Sequence, residues 1–242
     1  MFDYSKVLSK KATELKPSGI RKFFDILDEM QGVVSLTVGQ PDFLTPWHIR
    51  DAAITSLEQG KTYYTSNSGL LLFRERIAEY LERRFAVKYN PKDEILVTVG
   101  GSEAIDLAIR AIVEPGDEVL VVEPSYVCYT PITQLTGGVA VSVPTRAEDN
   151  FKLTPELLRK YITPKTKMLI LPYPNNPTGA IMTHEDLRRI ADVLRDTNIV
   201  VLTDEIYGEL TYGRKHSSFA AIPSMWERTI YVGGFSKTYA MT

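Results

Sequence analysis

The 242-residue sequence has one cysteine, three histidines, no apolar run of membrane-spanning length and no segment dense in lysine and arginine. Each shortage excludes something. A lone Cys128 cannot close an internal disulfide and no Cys/His spacing suits zinc, so the chain reads as a protein of the reducing cytosol (cytoplasmic) with no metal site. Stretches such as Val119 to Val122 and Met168 to Leu171 fall far short of the roughly 20 residues that a spanning helix needs. With 28 Lys+Arg against 30 Asp+Glu the net charge is -2, and the basic footprint that neutralises a phosphate backbone is missing. Nucleic acid and membrane are therefore not expected as partners. The polar, lysine-rich stretch from Met1 to Lys16 lacks the apolar centre of a secretory signal and reads as mature protein.

What the sequence does have is a strand-helix rhythm. Val- and Ile-rich segments at Ile95 to Val99, Glu118 to Val122, Val139 to Val143, Lys167 to Leu171, Ile199 to Thr203 and Thr229 to Val232 alternate with longer stretches at helical spacing. Several of these segments show little polar alternation, as strands buried on both faces do. The pattern predicts an α/β fold with a parallel sheet covered by helices. Thr45-Pro46, Thr154-Pro155-Glu156 and Thr183-His184-Glu185 each place a capping hydroxyl before a good first-turn residue, and Gly60 supplies a stop. From Thr183, Leu187, Ile190, Ala191 and Leu194 recur at helical steps, leaving Arg188, Arg189 and Arg195 for a solvated face. The first 44 or so residues, broken by Pro17, Gly19 and Pro41, read as an arm and a small outlying layer.

In open parallel sheets ligands bind beyond the carboxyl ends of the strands, and four of the predicted ends are unusual. Gly100-Gly101-Ser102-Glu103 follows Val99, Pro174-Asn175-Asn176-Pro177-Thr178-Gly179 follows Leu171, Asp204-Glu205-Ile206-Tyr207 follows Thr203, and Gly233-Gly234-Phe235-Ser236-Lys237 follows Val232. At Gly100-Gly101-Ser102, free N–H groups at a helix start suit a phosphate. The fragment suits a plain tight turn equally well, and it matches neither the Walker pattern nor the dinucleotide fingerprint. Asp204 closes a run that should be buried, so its carboxylate calls for a cationic partner unless it braces a loop. Lys237, in a Gly-rich segment after a buried strand, is a candidate for an amine that desolvation keeps uncharged and nucleophilic, although most lysines are solvated surface charges.

Taken together, Asn176-Pro177-Thr178-Gly179, Asp204-Glu205-Ile206-Tyr207 and Ser236-Lys237-Thr238-Tyr239-Ala240-Met241-Thr242 resemble the class I/II aminotransferases of the fold-type I pyridoxal-phosphate enzymes. They stand in family order, with 28 residues from Asn176 to Asp204 and 33 from Asp204 to Lys237, and the resemblance covers nearly the whole chain. It implies an aminotransferase-like three-layer fold with a mainly parallel central sheet. Residues 1–44 would be an N-terminal arm and part of a small domain, and 45–242 a large cofactor-binding domain that is incomplete at its C-terminal end. The activity it implies is transamination between an L-amino acid and a 2-oxo acid, in a ping-pong route through pyridoxamine phosphate. Lys237 then matches the lysine that forms an imine with pyridoxal 5'-phosphate and shuttles the proton, and Asp204 the partner of the ring nitrogen. Asn176 and Tyr207 match the donors to the ring oxygen, with Asn176 also on the substrate side, and Tyr126 matches the aromatic stacked on the ring. Gly101, Ser102 and the amide of Glu103 match the phosphate cradle, with Ser236 as a further donor. Tyr64, in a Tyr-x-x-x-x-Gly segment, resembles the tyrosine that reaches the phosphate of the neighbouring subunit, which implies a homodimer. Gly39, in Gly39-Gln40-Pro41-Asp42, resembles the backbone contact to the substrate carboxylate.

The sequence also departs from the pattern. Many relatives place a serine three residues before the lysine, where this chain has Gly234. The family continues from Met-Thr into Gly-Trp-Arg, whose arginine binds the cofactor phosphate, and later into a C-terminal domain with the arginine that clamps the substrate α-carboxylate. This chain stops at Thr242, so the resemblance implies a truncated piece that is inactive by itself. Two other functions use the same residues. A C–S β-lyase shares the lysine, aspartate and phosphate cradle, but such relatives tend to carry an asparagine soon after the lysine, where Lys237 is followed by Thr238-Tyr239-Ala240-Met241. A cofactor-binding regulatory domain needs a basic winged-helix segment, for which Met1 to Gln31 is too short.

Overall fold

The computed structural model describes residues 2–3, 6–15, 32, 34 and 39–242; the expected arm and small domain over 1–44, with its breaks at Pro17 and Gly19, lies mostly outside them. The strands are β1 (Glu118–Glu123), β2 (Val139–Pro144), β3 (Thr166–Leu171), β4 (Val200–Asp204) and β5 (Thr229–Val232). They form one sheet in the order β2-β1-β3-β4-β5, with every neighbouring pair parallel. The helices are α1 (Lys10–Glu14), α2 (Trp47–Glu58), α3 (Leu71–Phe85), α4 (Gly101–Ile112), α5 (Tyr129–Thr136), α6 (Pro155–Tyr161), α7 (His184–Leu194) and α8 (Phe235–Thr238).

The unalternating strands are buried on both faces. Val119, Val121, Met168, Ile170, Leu202 and Val232 pack against Ile105 and Ile109 of α4 and Tyr129 of α5. Leu120, Val122, Leu169, Leu171 and Val201 turn the other way, against Leu158 of α6 and Leu187, Ile190 and Leu194 of α7. The three layers follow from that alternation. Burying each such side chain is worth roughly 1.5–3 kcal/mol, so polar residues are pushed to the strand ends. On the far side of β5, Leu81 and Phe85 of α3 pack with Val87 and Ala220, and Tyr231 leans on them.

Local signals explain the helix ends. Thr154 Oγ1 accepts from the Leu157 N–H, and Gly60, with φ at +67°, closes the turn after α2. At α7, Thr183 Oγ1 accepts from the Asp186 N–H at 3.1 Å while Asp186 Oδ2 accepts from the Thr183 N–H at 2.9 Å, a reciprocal capping box. Arg188, Arg189 and Arg195 lie on the exposed side of α7, paired with Glu185, Glu156 and Asp192. Thr45 does not cap α2. Its hydroxyl donates instead to the Ala240 carbonyl at 2.6 Å, and Pro46 stands at the cap position.

One expected strand is missing. Ile95 to Val99 forms no strand: Val99 is 92% exposed, and the backbone bonds of the segment are those from the Val97 N–H to Ser68 O and from the Gly100 N–H to Thr98 O. A strand exists by pairing, and among the described residues none runs alongside it. The capping box generates a direct test. Thr183→Ala should destabilise the protein by about 1 kcal/mol, seen as a lower urea midpoint at an unchanged slope; equal midpoints would show that the box adds nothing.

Candidate active site

The strand order makes a crevice. The chain leaves β1 to place β2 on one side, then passes back to lay down β3, β4 and β5 on the other. The connections after β1 and β3 consequently run over opposite faces of the sheet and part at their carboxyl ends, where open parallel sheets take ligands. Asn175 spans that gap. Its buried Nδ2 donates to the Pro124 carbonyl at 3.1 Å, and its Oδ1 accepts from the N–H and the hydroxyl of Thr178 at 3.2 and 2.8 Å. Asn176, the residue singled out by sequence, is half-buried beside it and bonds none of the described residues.

The end of β4 brings Asp204 to the same rim, in register with Val232 of β5. The residue is 8% exposed; Oδ2 accepts from the Tyr129 hydroxyl at 2.8 Å and Oδ1 from the Ile206 N–H at 3.2 Å. Burial pushes the carboxyl above the ordinary carboxylate range, the neighbouring Glu205 charge adds to this, and the bonds from Tyr129 and Ile206 oppose it. No cationic side chain pairs with Asp204 among the described residues. Burial, followed by the Asp204 charge, raises the Tyr129 and Tyr207 hydroxyls, so both stay protonated and able to donate. The Tyr126 ring meets Tyr129 edge to face at 6.0 Å and is 39% exposed. Burial pushes the nearby Cys128 thiol up to about 12, which makes it an inert thiol and no nucleophile.

On either side of Asp204 stand a helix start and an amine. Gly100, at φ +87°, turns the chain into the 12-residue α4, whose first amides at Gly101, Ser102 and Glu103 have no partner inside the helix. The Glu103 carboxylate reaches back and accepts from the Val99 N–H, leaving those amides clear. Beyond β5, a Cβ on Gly234 would lie 2.7 Å from Ile206 Cδ1, so a side chain there would push the tip of Ile206, the residue before Tyr207, aside. Lys237 of α8 is half-buried, and its Nζ donates to the Gly39 carbonyl at 3.0 Å. The desolvation expected of this amine is therefore partial, because α8 sits on the rim and not within the sheet. Ser236 is half-buried next to it, and Ser102 is exposed. Tyr64 is fully exposed between α2 and α3 and touches none of these groups.

The comparisons decide what this arrangement belongs to. A sequence model of the family described as aminotransferase class I and II matches residues 31–242. The chain belongs to that family. A Bacillus subtilis protein, YugH, named as an aminotransferase, is 50% identical over 97% of the chain and 61% of its own length. Aspartate aminotransferase of Pyrococcus abyssi is 44% identical over 97% of the chain and 61% of its own length. The crystal structure of the aromatic aminotransferase of Pyrococcus horikoshii superposes with a TM-score of 0.86 at 44% identity, over 90% of this chain and 59% of that one. The chain thus spans about three fifths of the length of these two curated relatives. No helix among the described residues is long and apolar enough to cross a membrane.

Within this aminotransferase fold the structure adds residues that sequence reading passed over. Tyr129 supports Asp204 and Asn175 joins β1 to β3, yet neither sits in a motif that singles it out. A tyrosine three residues after Tyr126 looks like core until its hydroxyl is seen to face a carboxylate. Asn175 was visible only as the first member of an Asn-Asn pair.

Asp204 carries a stability cost with a definite sign. Its carboxyl is raised in the folded state, so its contribution to stability is fully present below the unfolded value and is lost as pH rises through the folded one. In the ligand-free full-length protein, Asp204→Asn should therefore raise the melting temperature at pH 7 and flatten the loss of stability from acid to neutral pH. A lower melting temperature at pH 7 would refute the sign.

Proposed function

We propose that the full-length protein is a pyridoxal 5'-phosphate-dependent aminotransferase, which moves an amino group from an L-amino acid to a 2-oxo acid in two half-reactions. The observation that carries this reading is Asp204: a buried carboxylate, held in place by Tyr129 and Ile206, with no cation paired to it among the described residues. A protonated pyridine nitrogen supplies the missing charge. The other residues fit the rest of such a group. The open amides of α4 suit a dianionic phosphate, the exposed ring of Tyr126 suits an aromatic partner, and Tyr207 is a protonated donor beside Asp204.

When bound, the cofactor supplies an electron sink for bond breaking at the Cα of the amino acid. The chain's own residues then divide the work. Asp204 keeps the ring nitrogen protonated, which the sink requires. Tyr207 and Asn176 hydrogen-bond the ring oxygen, and Asn176 also faces the substrate. Gly101, Ser102 and the Glu103 amide hold the phosphate, with Ser236 as a further donor. The Nζ of Lys237, now resting on the Gly39 carbonyl, would hold the cofactor's aldehyde carbon until the substrate amine takes its place there, and the freed amine would then take the proton from Cα. Gly39 offers its backbone to the substrate carboxylate. Relatives of equal identity carry aspartate and aromatic names, so the reading extends to the reaction and not to one side chain.

The same reading includes a homodimer acting in the cytosol. Near Tyr64 in the sequence, Leu44, Trp47, Leu57 and Tyr63 are all exposed apolar side chains. Tyr64 lies on the same side of the sequence, where a partner subunit's phosphate would meet it.

The test of the reaction is a half-reaction. Full-length protein loaded with pyridoxal 5'-phosphate and given an amino acid alone should exchange the absorption of the aldehyde form for that of the amino form, with release of the 2-oxo acid. An unchanged spectrum with every amino acid tried would sink the proposal. Lys237→Ala should abolish covalent attachment yet retain some binding through the phosphate cradle and Asp204. Asp204→Asn should keep attachment and lose roughly two to three orders of magnitude in rate, because its charge matters most as the carbanion develops. Near-normal turnover in Asp204→Asn would mean that the buried carboxylate is structural only.

A further inference from the structure

From Glu205 to Ser218 the chain forms neither helix nor strand, yet the two ends of this stretch meet at one side chain. Glu205 is 3% exposed, and its Oε1 accepts from Thr203 Oγ1 at 3.0 Å, Ser218 Oγ at 2.9 Å and the Phe219 N–H at 3.2 Å. Its Oε2 lies 2.6 Å from His216 Nε2. A single carboxylate thereby binds the end of β4 to residues 216, 218 and 219. The Glu205 N–H also donates to Val232 O at 2.8 Å, which fixes the same point to β5.

The outer side of the loop is held by a second carboxylate. Glu209 accepts from the Tyr80 hydroxyl at 2.5 Å and from Arg84 Nε at 2.7 Å, both on α3. Tyr207 stands between the two anchors. Just after it, a Cβ on Gly208 would lie 3.0 Å from the His216 ring and 3.1 Å from the Glu205 carbonyl, so the chain doubles back against its own neck. A buried carboxylate with four partners is an expensive way to close a loop, since apolar packing serves stability as well or better. What it provides is a fixed geometry.

We propose that Glu205 is a positioning residue for Tyr207: by tying the neck of the 205–218 loop it holds the tyrosine hydroxyl in place before the cofactor arrives. The proposal rests on the reading of Tyr207 as donor to the cofactor's ring oxygen. Around Tyr207 the titratable neighbours are Asp204 and Tyr126. Around Glu205 they are His216 in direct contact, Asp204, and Tyr89 and Tyr231 within electrostatic range.

The experiment is a double-mutant cycle in the full-length protein, read as the pH midpoint of the visible band of bound pyridoxal 5'-phosphate. A donor on the ring oxygen withdraws charge that would otherwise hold the proton on the neighbouring nitrogen, so Tyr207→Phe should raise the midpoint by about one pH unit, a tenfold change in proton affinity. Glu205→Ala should raise it in the same direction. Glu205→Gln, whose amide oxygen can still accept from Thr203, Ser218 and Phe219, should recover most of the change. In the Tyr207→Phe background Glu205→Ala should add nothing. Equal shifts in both backgrounds, or a lower melting temperature with no shift in midpoint, would overturn the proposal. Should Glu205→Ala fail to fold, Ser218→Ala removes one tie at the far side of the neck and enters the same cycle, with a smaller shift in the same direction expected and zero coupling overturning it. A parent protein that binds no cofactor would overturn the functional reading and this inference with it, whereas a parent that binds and shows zero coupling sinks the inference alone.

Discussion

A sheet buried on both faces has nowhere to put charge except at the ends of its strands, and the rest of this molecule depends on that constraint. β1, β3 and β4 are lined with side chains that leave almost nothing exposed. Asp204, Tyr207 and Asn176 are thus found just after the strands, where loops supply the hydrogen bonds that strand interiors cannot. The order β2-β1-β3-β4-β5 adds the second half of the design. Reversal of direction at β1 parts the loops and leaves a gap at the carboxyl ends of the strands.

Asp204 and Glu205 show how the rim treats two adjacent carboxylates differently. Strand alternation sends them to opposite faces: Asp204 toward Tyr129 in the layer of α4 and α5, Glu205 toward His216 and Ser218 near the layer of α7. Glu205 is given four partners and needs nothing more. Among the described residues Asp204 is given two neutral donors and no cation, so a charge on it is left unbalanced in a dry place. That difference is what the proposed cofactor role of Asp204 rests on.

Much of this was legible in the sequence because the governing signals are local. Hydrophobic runs located five strands to within a residue at either end, and Thr154 and Thr183 located two helix starts. The failures share one cause, which is that the deciding partner lies far away in the chain. Ile95 to Val99 has the composition of a strand but lacks a neighbour, and Thr45 has the composition of a cap but finds Ala240 first. Tyr129 and Asn175 acquire their roles only through Asp204 and Pro124, 75 and 51 residues away. Lys237 was expected in a drier setting than the half-buried rim it occupies, since a Gly-rich sequence reveals where a backbone bends and not how deep a side chain lies.

The site is therefore organised before anything binds, at a cost the fold meets elsewhere. Holding Asp204 out of water disfavours its charged form, and leaving three amides open at α4 forgoes hydrogen bonds that a side-chain cap would make. A protein tuned for stability alone would place an asparagine at 204 and a capping serine at 100. Position 100 shows why the second change is barred: its φ of +87° belongs to the left-handed region, where a serine would be strained and its hydroxyl would occupy the amides it was meant to satisfy. The compensating stability comes from the two apolar layers, in which Ile109, Leu120, Met168, Leu169, Ile170 and Leu194 are wholly buried. Rigidity of that kind does more than offset the cost. Because β4 and β5 cannot shift without disturbing both layers, Asp204 and the start of α8 stay in fixed relation, and the ligand does not have to order them on arrival.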